Sequence, residues 1–275
     1  FKSNLSSYVQ IKDLQACRHI LGIAIRRDKQ GIHLSQSHVL NQLLADNSML
    51  SCRPASVPIT ASYMQEHRWP GGGTAASVTA HDKDNQHDTL PNSRQLSPLI
   101  GDRQDATIAD QLNCSYGSLT APHPAAHRSS TFPNDTLSAT AQSKYQSVLG
   151  VLLYVSTCTR PDLSFTVSVL CRKMQQATDK DMEALKHLMR YIKGTADNEL
   201  TLGKDCKGLT CFTDSSFADC RSTRRSSAGY LFQFMGGTVS WRSQLQKTVA
   251  LSTAEAEYMG LTAAVQEGLY LRELI

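Results

Sequence analysis

Lys207-Gly-Leu-Thr-Cys-Phe-Thr-Asp214, Tyr230-Leu-Phe-Gln-Phe-Met235, Gly236-Gly237, Thr238-Val-Ser-Trp241 and Ser252-Thr-Ala-Glu-Ala-Glu-Tyr258 read in order as a strand, a two-stranded hairpin and a helix. Leu209 to Asp214 is a short apolar run that ends on a carboxylate. From Ala228 to Met235, period-two spacing puts Tyr230, Phe232 and Phe234 on one face. Gly236-Gly237 then supplies the positive φ of a tight turn. Ser252-Thr-Ala-Glu255 is a capping-box pattern with Leu251 just before the cap. Beyond it, Ala254, Tyr258, Leu261, Val265 and Leu269 recur at helical spacing and predict the apolar stripe. One carboxylate ends the strand and another opens the helix, so two distant sequence positions can meet on one divalent ion. Hard cations such as Mg2+ take oxygen ligands of this kind.

Helical phase separates the two early glutamates. Glu255 lines up with Met259, Thr262 and Gln266 and reads as a first-turn charge favoured by the helix dipole. Glu257 lines up with Leu261, Ala264 and Gly268 and should lean toward the sheet, where an unpaired carboxylate is costly. Spacing leaves two roles open for Glu257: a metal ligand, or a rim residue paired with an arginine.

The rest of the chain bounds the problem. Its 275 residues suffice for one or two domains, and a net charge of +4 is compatible with a nucleic-acid partner. None of the eight cysteines forms a C-x-x-C pair; they read as reduced thiols of an intracellular protein, in cytoplasm or nucleus. No apolar run is long enough for a membrane span.

Composition divides the chain into four segments. Residues 1–58 contain a predicted strand at Ile20-Leu-Gly-Ile-Ala-Ile25, a turn at Asp28–Gly31, a return strand at Ile32-His-Leu34 and a helix from Ser35 to about Asn47. Residues 59–141 are rich in Gly, Pro, Ser and scattered His without sustained periodicity, and predict a disordered or low-complexity insert. Residues 142–204 predict three helices: Tyr145–Thr157, Leu163–Met174 after Pro161, and a third capped by Asp179 and stopped by Gly194. Residues 205–275 hold the strand–hairpin–helix unit.

Thr213-Asp-Ser-Ser-Phe-Ala-Asp219, Arg224-Arg-Ser-Ser-Ala-Gly-Tyr230, Gly237-Thr-Val-Ser-Trp-Arg-Ser243 and Val249-Ala-Leu-Ser-Thr-Ala-Glu-Ala-Glu-Tyr258 resemble the RNase H domain of copia-type LTR-retrotransposon Pol polyproteins. Thr159-Arg-Pro-Asp-Leu-Ser164 and Leu188-Met-Arg-Tyr-Ile-Lys-Gly-Thr195 resemble that family's connection between polymerase and RNase H. Leu21-Gly-Ile23, Gly31-Ile-His-Leu-Ser-Gln36 and Cys52-Arg-Pro54 resemble the end of its reverse transcriptase, where palm gives way to thumb. The resemblance implies an α+β fold: a truncated RNase H-like three-stranded sheet plus helix, preceded by a helical connection and a palm-end β-hairpin and helix. The chain departs from the family at Phe217, where Trp is usual, and in a shorter run between Asp219 and Arg224.

The same resemblance implies Asp214 and Glu257 as catalytic metal ligands, two Mg2+ ions roughly 3.5–4 Å apart, and hydrolysis of RNA in an RNA–DNA hybrid. Arg221, Arg224, Arg225, Arg242 and Lys247 are then candidate phosphate contacts, which position a strand without reading its sequence. The family's further Asp, on a later strand, has no counterpart here, and no paired-aspartate polymerase motif is present. The expectation is a piece of a Pol polyprotein whose nuclease half is weak or inactive alone. The alternatives are a non-catalytic nucleic-acid- or partner-binding module and, less fitting in the placement of its glutamate, an integrase- or transposase-like protein.

Overall fold

The computed structural model describes residues 16–67, 136–203 and 208–275. The described chain is mixed α and β, with two antiparallel sheets and six helices. Most of the insert expected at 59–141 lies outside the described residues.

The first sheet has the order β1 (His19–Ile20), β2 (Ile23–Asp28), β3 (Gly31–Ser35), β4 (Leu200–Leu202). The single strand expected at 20–25 is broken, because Leu21 and Gly22 both adopt positive φ and turn the chain between β1 and β2. Helix α1 (Ser37–Asp46) starts later than expected. Ser35 still belongs to β3, its Oγ accepts the Ser37 N–H at 3.2 Å, and Gln36 takes the cap position. Strand β4 lies far from β3 in sequence, yet it pairs antiparallel with it, with His33 opposite Thr201. His33 fastens that pairing by side-chain contacts to Asp28 at 3.0 Å and Thr201 at 3.1 Å.

The main core is helical. Helices α2 (Ala61–His67), α3 (Ala139–Cys158), α4 (Ser164–Cys171) and α5 (Asp179–Thr195) pack with α1. Leu40 and Leu44 of α1 share this core with Leu149, Leu152, Leu170, Leu188 and Ile192, each at most 1 % exposed. Helix α2 falls inside the expected irregular insert. It forms because Tyr63 is buried and its hydroxyl donates to Asp181 at 2.5 Å. Asp181 also completes a capping box with Thr178, which caps α5 in place of the expected Asp179. The expected second helix is a 3-10 turn, Pro161–Leu163, followed by the shorter α4.

The Thr159-Arg-Pro-Asp162 motif proves to be a structural staple. Arg160 is 3 % exposed and reaches both Asp162 carboxylate oxygens, at 2.9 and 2.7 Å. It also donates to the carbonyl and hydroxyl of Thr195 at the last turn of α5, where a cation is favoured by the helix dipole. Burial pushes the Asp162 carboxyl up, but Arg160 outweighs it and holds the group below the usual carboxylate range.

The second sheet has the order β5 (Thr210–Ser216), β6 (Ser227–Phe234), β7 (Gly237–Leu245), and helix α6 (Thr253–Leu274) lies against β5 and β6. The β6–β7 turn is Met235-Gly236, one residue earlier than expected, with φ of 50° and 74°. Two left-handed residues make the tight loop whose twist suits a hairpin. Gly237 opens β7 instead, and a Cβ there would stand 2.2 Å from the Thr201 carbonyl oxygen, so the two sheets meet where only glycine fits. Trp241 makes a second tie, its Nε1 donating to the Ser156 carbonyl at 2.7 Å.

Helix α6 corrects the expected stripe. The face against the sheet is Ala256, Gly260 and Ala264, whereas Tyr258, Leu261, Val265 and Leu269 are 71, 44, 51 and 49 % exposed. The reason is distance. A Cβ on Gly260 would lie 2.3 Å from Ser215 Oγ, and one on Gly268 3.2 Å from Phe232. Only a row of small residues lets the helix axis come that close.

Candidate functional site

Asp214 sits on β5 two residues before its end, opposite Gly229 of β6. It is exposed, and β5 pairs only with β6, so its other edge is open among the described residues. Alternation along the strand puts Phe212, Asp214 and Ser216 on one face and Ser215 on the other, toward α6.

Glu257 lies on the second turn of α6 and is half-buried. Ser252 Oγ accepts the Glu255 N–H at 3.1 Å, and the Glu255 carboxylate accepts the Leu251 N–H at 2.6 Å. Glu255 is thereby spent on the cap. Glu257 points to the β5 side of the helix. Burial raises its pKa first, the neighbouring Asp214 charge raises it further, and the Ser215 backbone N–H draws it partly back. Forty-two intervening residues therefore return to place two carboxylates within electrostatic reach, with a backbone donor beside them.

The expected basic residues divide. The loop from Phe217 to Ser226, the start of β6, the end of β7 and the start of α6 all lie at the Asp214 end of the sheet. Arg221, Arg224, Arg225 and Lys247 belong to this end. Arg221 donates to the Glu66 carbonyl at 3.0 Å, and Arg224 turns the loop with φ of 59°. Arg225 and Lys247 are exposed. Arg242 is mid-strand, paired across from Tyr230, and its side chain hydrogen-bonds the Tyr230 hydroxyl on the α6 face, away from the face of Asp214. It does not join the others.

Asp219 is taken up by the loop itself. It is 7 % exposed, and its two oxygens accept the Ser227 N–H and hydroxyl at 2.6 and 2.7 Å. Arg172 of α4's C-cap donates to the same hydroxyl at 2.8 Å. This clasp closes the loop and ties it to the helical core. Among the described residues no group of three or more His, Cys, Asp or Glu side chains could hold a metal ion. Two carboxylates remain compatible with Mg2+, which keeps several waters and is commonly held by one or two carboxylates plus substrate phosphate. The mutual charge of Asp214 and Glu257 is what a bound cation would relieve.

Sequence reasoning missed the Ser215 N–H beside Glu257 and the Asp219–Ser227–Arg172 clasp. Neither has a local pattern, since each joins elements distant in sequence.

No family model and no solved structure matches the chain. Among curated proteins, it is 29 % identical over 276 residues to the retrovirus-related Pol polyprotein from transposon TNT 1-94 of Nicotiana tabacum, covering all of this chain but 16 % of that protein. It is 31 % identical over 264 residues to an uncharacterized mitochondrial protein of Arabidopsis thaliana, covering 94 % of this chain and 81 % of that one. Over 129 residues it is 41 % identical to a secreted RxLR effector protein of Plasmopara viticola, covering 46 % of this chain and 90 % of that one. The chain thus spans about a sixth of the tobacco polyprotein and most of the Arabidopsis protein. Among the described residues no helix is long and apolar enough to cross a membrane.

Proposed function

The chain belongs to the family of copia-type retrotransposon Pol polyproteins and their derivatives, and from that premise we propose that residues 205–275 are the first half of an RNase H-like nuclease site for RNA–DNA hybrids. The observation that supports this reading is the approach of Glu257 to the Ser215 N–H, next to Asp214, at the end of the sheet that also bears Arg221, Arg225 and Lys247.

Mg2+, when bound, supplies water activation and charge neutralisation at the scissile phosphate. The residues of the chain hold and aim. Asp214 offers an exposed carboxylate on a rigid strand. Glu257 is kept half-buried by α6, oriented by the Ser215 N–H, and made more willing to share a cation by the nearby Asp214 charge. The basic loop neutralises backbone phosphates and sets the register of the strand. The 2′-hydroxyl at this point separates RNA from DNA.

The pair alone lacks the additional carboxylate that the family resemblance implies. Two carboxylates alone hold a second ion weakly, which should lower the rate on the order of a thousandfold or more. Binding without cleavage is accordingly the second reading, favoured by Asp219, the other carboxylate of this loop, being spent on the Ser227 N–H and hydroxyl. The test is cleavage of a labelled hybrid in Mg2+ by the chain, by its Asp214→Asn variant, and by a version extended with a family-like C-terminal segment. Cleavage is expected only in the extended version and only with Asp214 intact. Turnover that survives Asp214→Asn overturns the assignment, and an extended version that binds hybrid yet never cleaves it favours the second reading.

A further inference from the structure

The face of the second sheet that bears Asp214 is not flat. Alternation brings Phe212, Asp214, Leu231, Gly229 and Trp241 to one side, and the helical core closes over it with Pro161 and Phe165. Between them runs a groove of about 350 Å³. Trp241, tethered by its bond to Ser156, lines it beside Gly229, which adds no side chain. Its walls are two aromatic rings that face water: Phe212 is 57 % and Phe165 38 % exposed. The hydroxyls of Ser164 and Ser243 lie along it. Among the described residues Asp214 is the only carboxylate that lines it, and Arg242, also on its border, is hydrogen-bonded to Tyr230 on the opposite face.

We propose that this groove is a nucleobase subsite: it takes one unstacked base of the strand whose phosphate is carried beside Asp214 and Glu257. The proposal rests on the nuclease reading for the strand's position. The occupant follows from the chemistry. An aromatic-walled, largely uncharged slot with hydroxyls suits a flat, neutral body with hydrogen-bonding edges. Arg242 at its border is engaged by Tyr230 rather than offered to a bare phosphate, and an acidic peptide would meet Asp214. The nearby Arg225 and Lys247 supply the positive field that a polyanionic strand attached to that base requires. Aromatic platforms beside a basic track are the general device for holding unpaired strands, because every base has a π-face. The groove is built by both the connection and the second sheet, which gives the connection a direct share in substrate contact.

The experiment uses the full chain with Ca2+ in place of Mg2+. Single-stranded oligoribonucleotides are compared that carry, at one internal position, either 2-aminopurine or an abasic spacer. Stacking should quench the 2-aminopurine fluorescence saturably, and the abasic strand should bind about tenfold more weakly. Phe165→Ala and Phe212→Ala should each lower affinity for the base-bearing strand by about that factor and leave the abasic strand unchanged, while Phe165→Tyr restores binding. Unchanged helical circular dichroism separates this from misfolding. Equal binding of the two strands by the parent chain, no quenching, no binding of either strand, or indifference to both Ala variants overturns the subsite. Its failure differs from failure of the nuclease reading, because hybrid cleavage that depends on Asp214 is read separately. A groove that holds bases in a protein that never cleaves would keep the subsite and remove the nuclease.

Discussion

The helical core and the sheet-plus-α6 unit use apolar residues in opposite ways. In the core, Leu149, Leu152, Val155, Leu163 and Leu170 are fully buried, each covered from several helices. In the second unit the sheet is covered by alanines and glycines of α6, while the large residues of that helix face outward together with Tyr270 and Leu274. The first unit satisfies its own hydrophobic pattern. The second carries a pattern meant for more than one layer: a small face for the sheet and a large face for something else. An amphipathic stripe therefore tells that a helix will be covered, not by which neighbour.

The sharpest way to break this contrast is paired truncation. Leu149→Ala should cost about 2–5 kcal/mol, since a side chain touched on all sides leaves a cavity. Leu261→Ala should change stability by no more than about 0.5 kcal/mol, as expected of an exposed position. It should also raise solubility, because a continuous exposed apolar face promotes association. Urea unfolding followed by circular dichroism, with light scattering at matched concentration, measures both. Similar losses in the two variants would mean that α6 is covered through its large face after all.

A smaller effect is expected at the close approach of α6 to β5. Gly260→Leu should push the helix off the strand, costing about 1–3 kcal/mol by overpacking. It should also separate Glu257 from Asp214, so Mn2+ affinity measured by titration falls more than stability does. Gly260→Ala collides only with Ser215 Oγ, a buried hydroxyl with no hydrogen-bond partner among the described residues. Adding Ser215→Ala should rescue it fully, because the alanine also favours the helix by about 0.5–1 kcal/mol over glycine. A pair of changes that simply add would show that the two residues do not share the contact.

These positions also mark how much was legible beforehand. The strand, hairpin and helix of the second unit follow local rules: an apolar run to Asp214, alternation through Tyr230 and Phe232, and a Ser252 cap. The turn was misplaced by one residue because Met235, not a second glycine, takes the left-handed conformation. The joining of β4 to β3 was hidden, since Leu200-Thr-Leu202 is too short to announce a strand and is held by His33, far away in sequence. Of the candidate site, the carboxylates were visible through motif and helical phase. The roles of Arg242 and Asp219 were not, because they depend on which sheet face and which loop closure those residues meet. Tertiary hydrogen bonds leave no period in a sequence.

The gentlest probe is pH, where the two units should move in opposite directions. Asp28, in the first sheet, is held down to about 2, chiefly by His33 and then by the Gln30 N–H. A carboxylate whose pKa is lowered by folding contributes stability that is present above its ordinary pKa and is lost as pH falls through the folded value. The β2–β3–β4 clasp should thus weaken between about pH 4 and pH 2. Glu257 carries the reverse sign. Its pKa is raised by burial and by Asp214, so its contribution is present below its ordinary pKa and disappears as pH rises through the folded one. Glu257 is partly solvated, which keeps this term the smallest of those considered. Urea midpoints between pH 2 and 7 test the pair, with Trp241 fluorescence in a Trp69→Phe background reporting the second unit and helical circular dichroism, once the α6 share that follows Trp241 is subtracted, reporting the first. Asp28→Asn should flatten the acid limb of the first signal, and Glu257→Gln should flatten the slope just above the usual carboxylate range in the second. If Glu257→Gln leaves that slope unchanged, the two carboxylates do not sense each other in solution. The half-site would then have to be assembled by the cation rather than waiting for it.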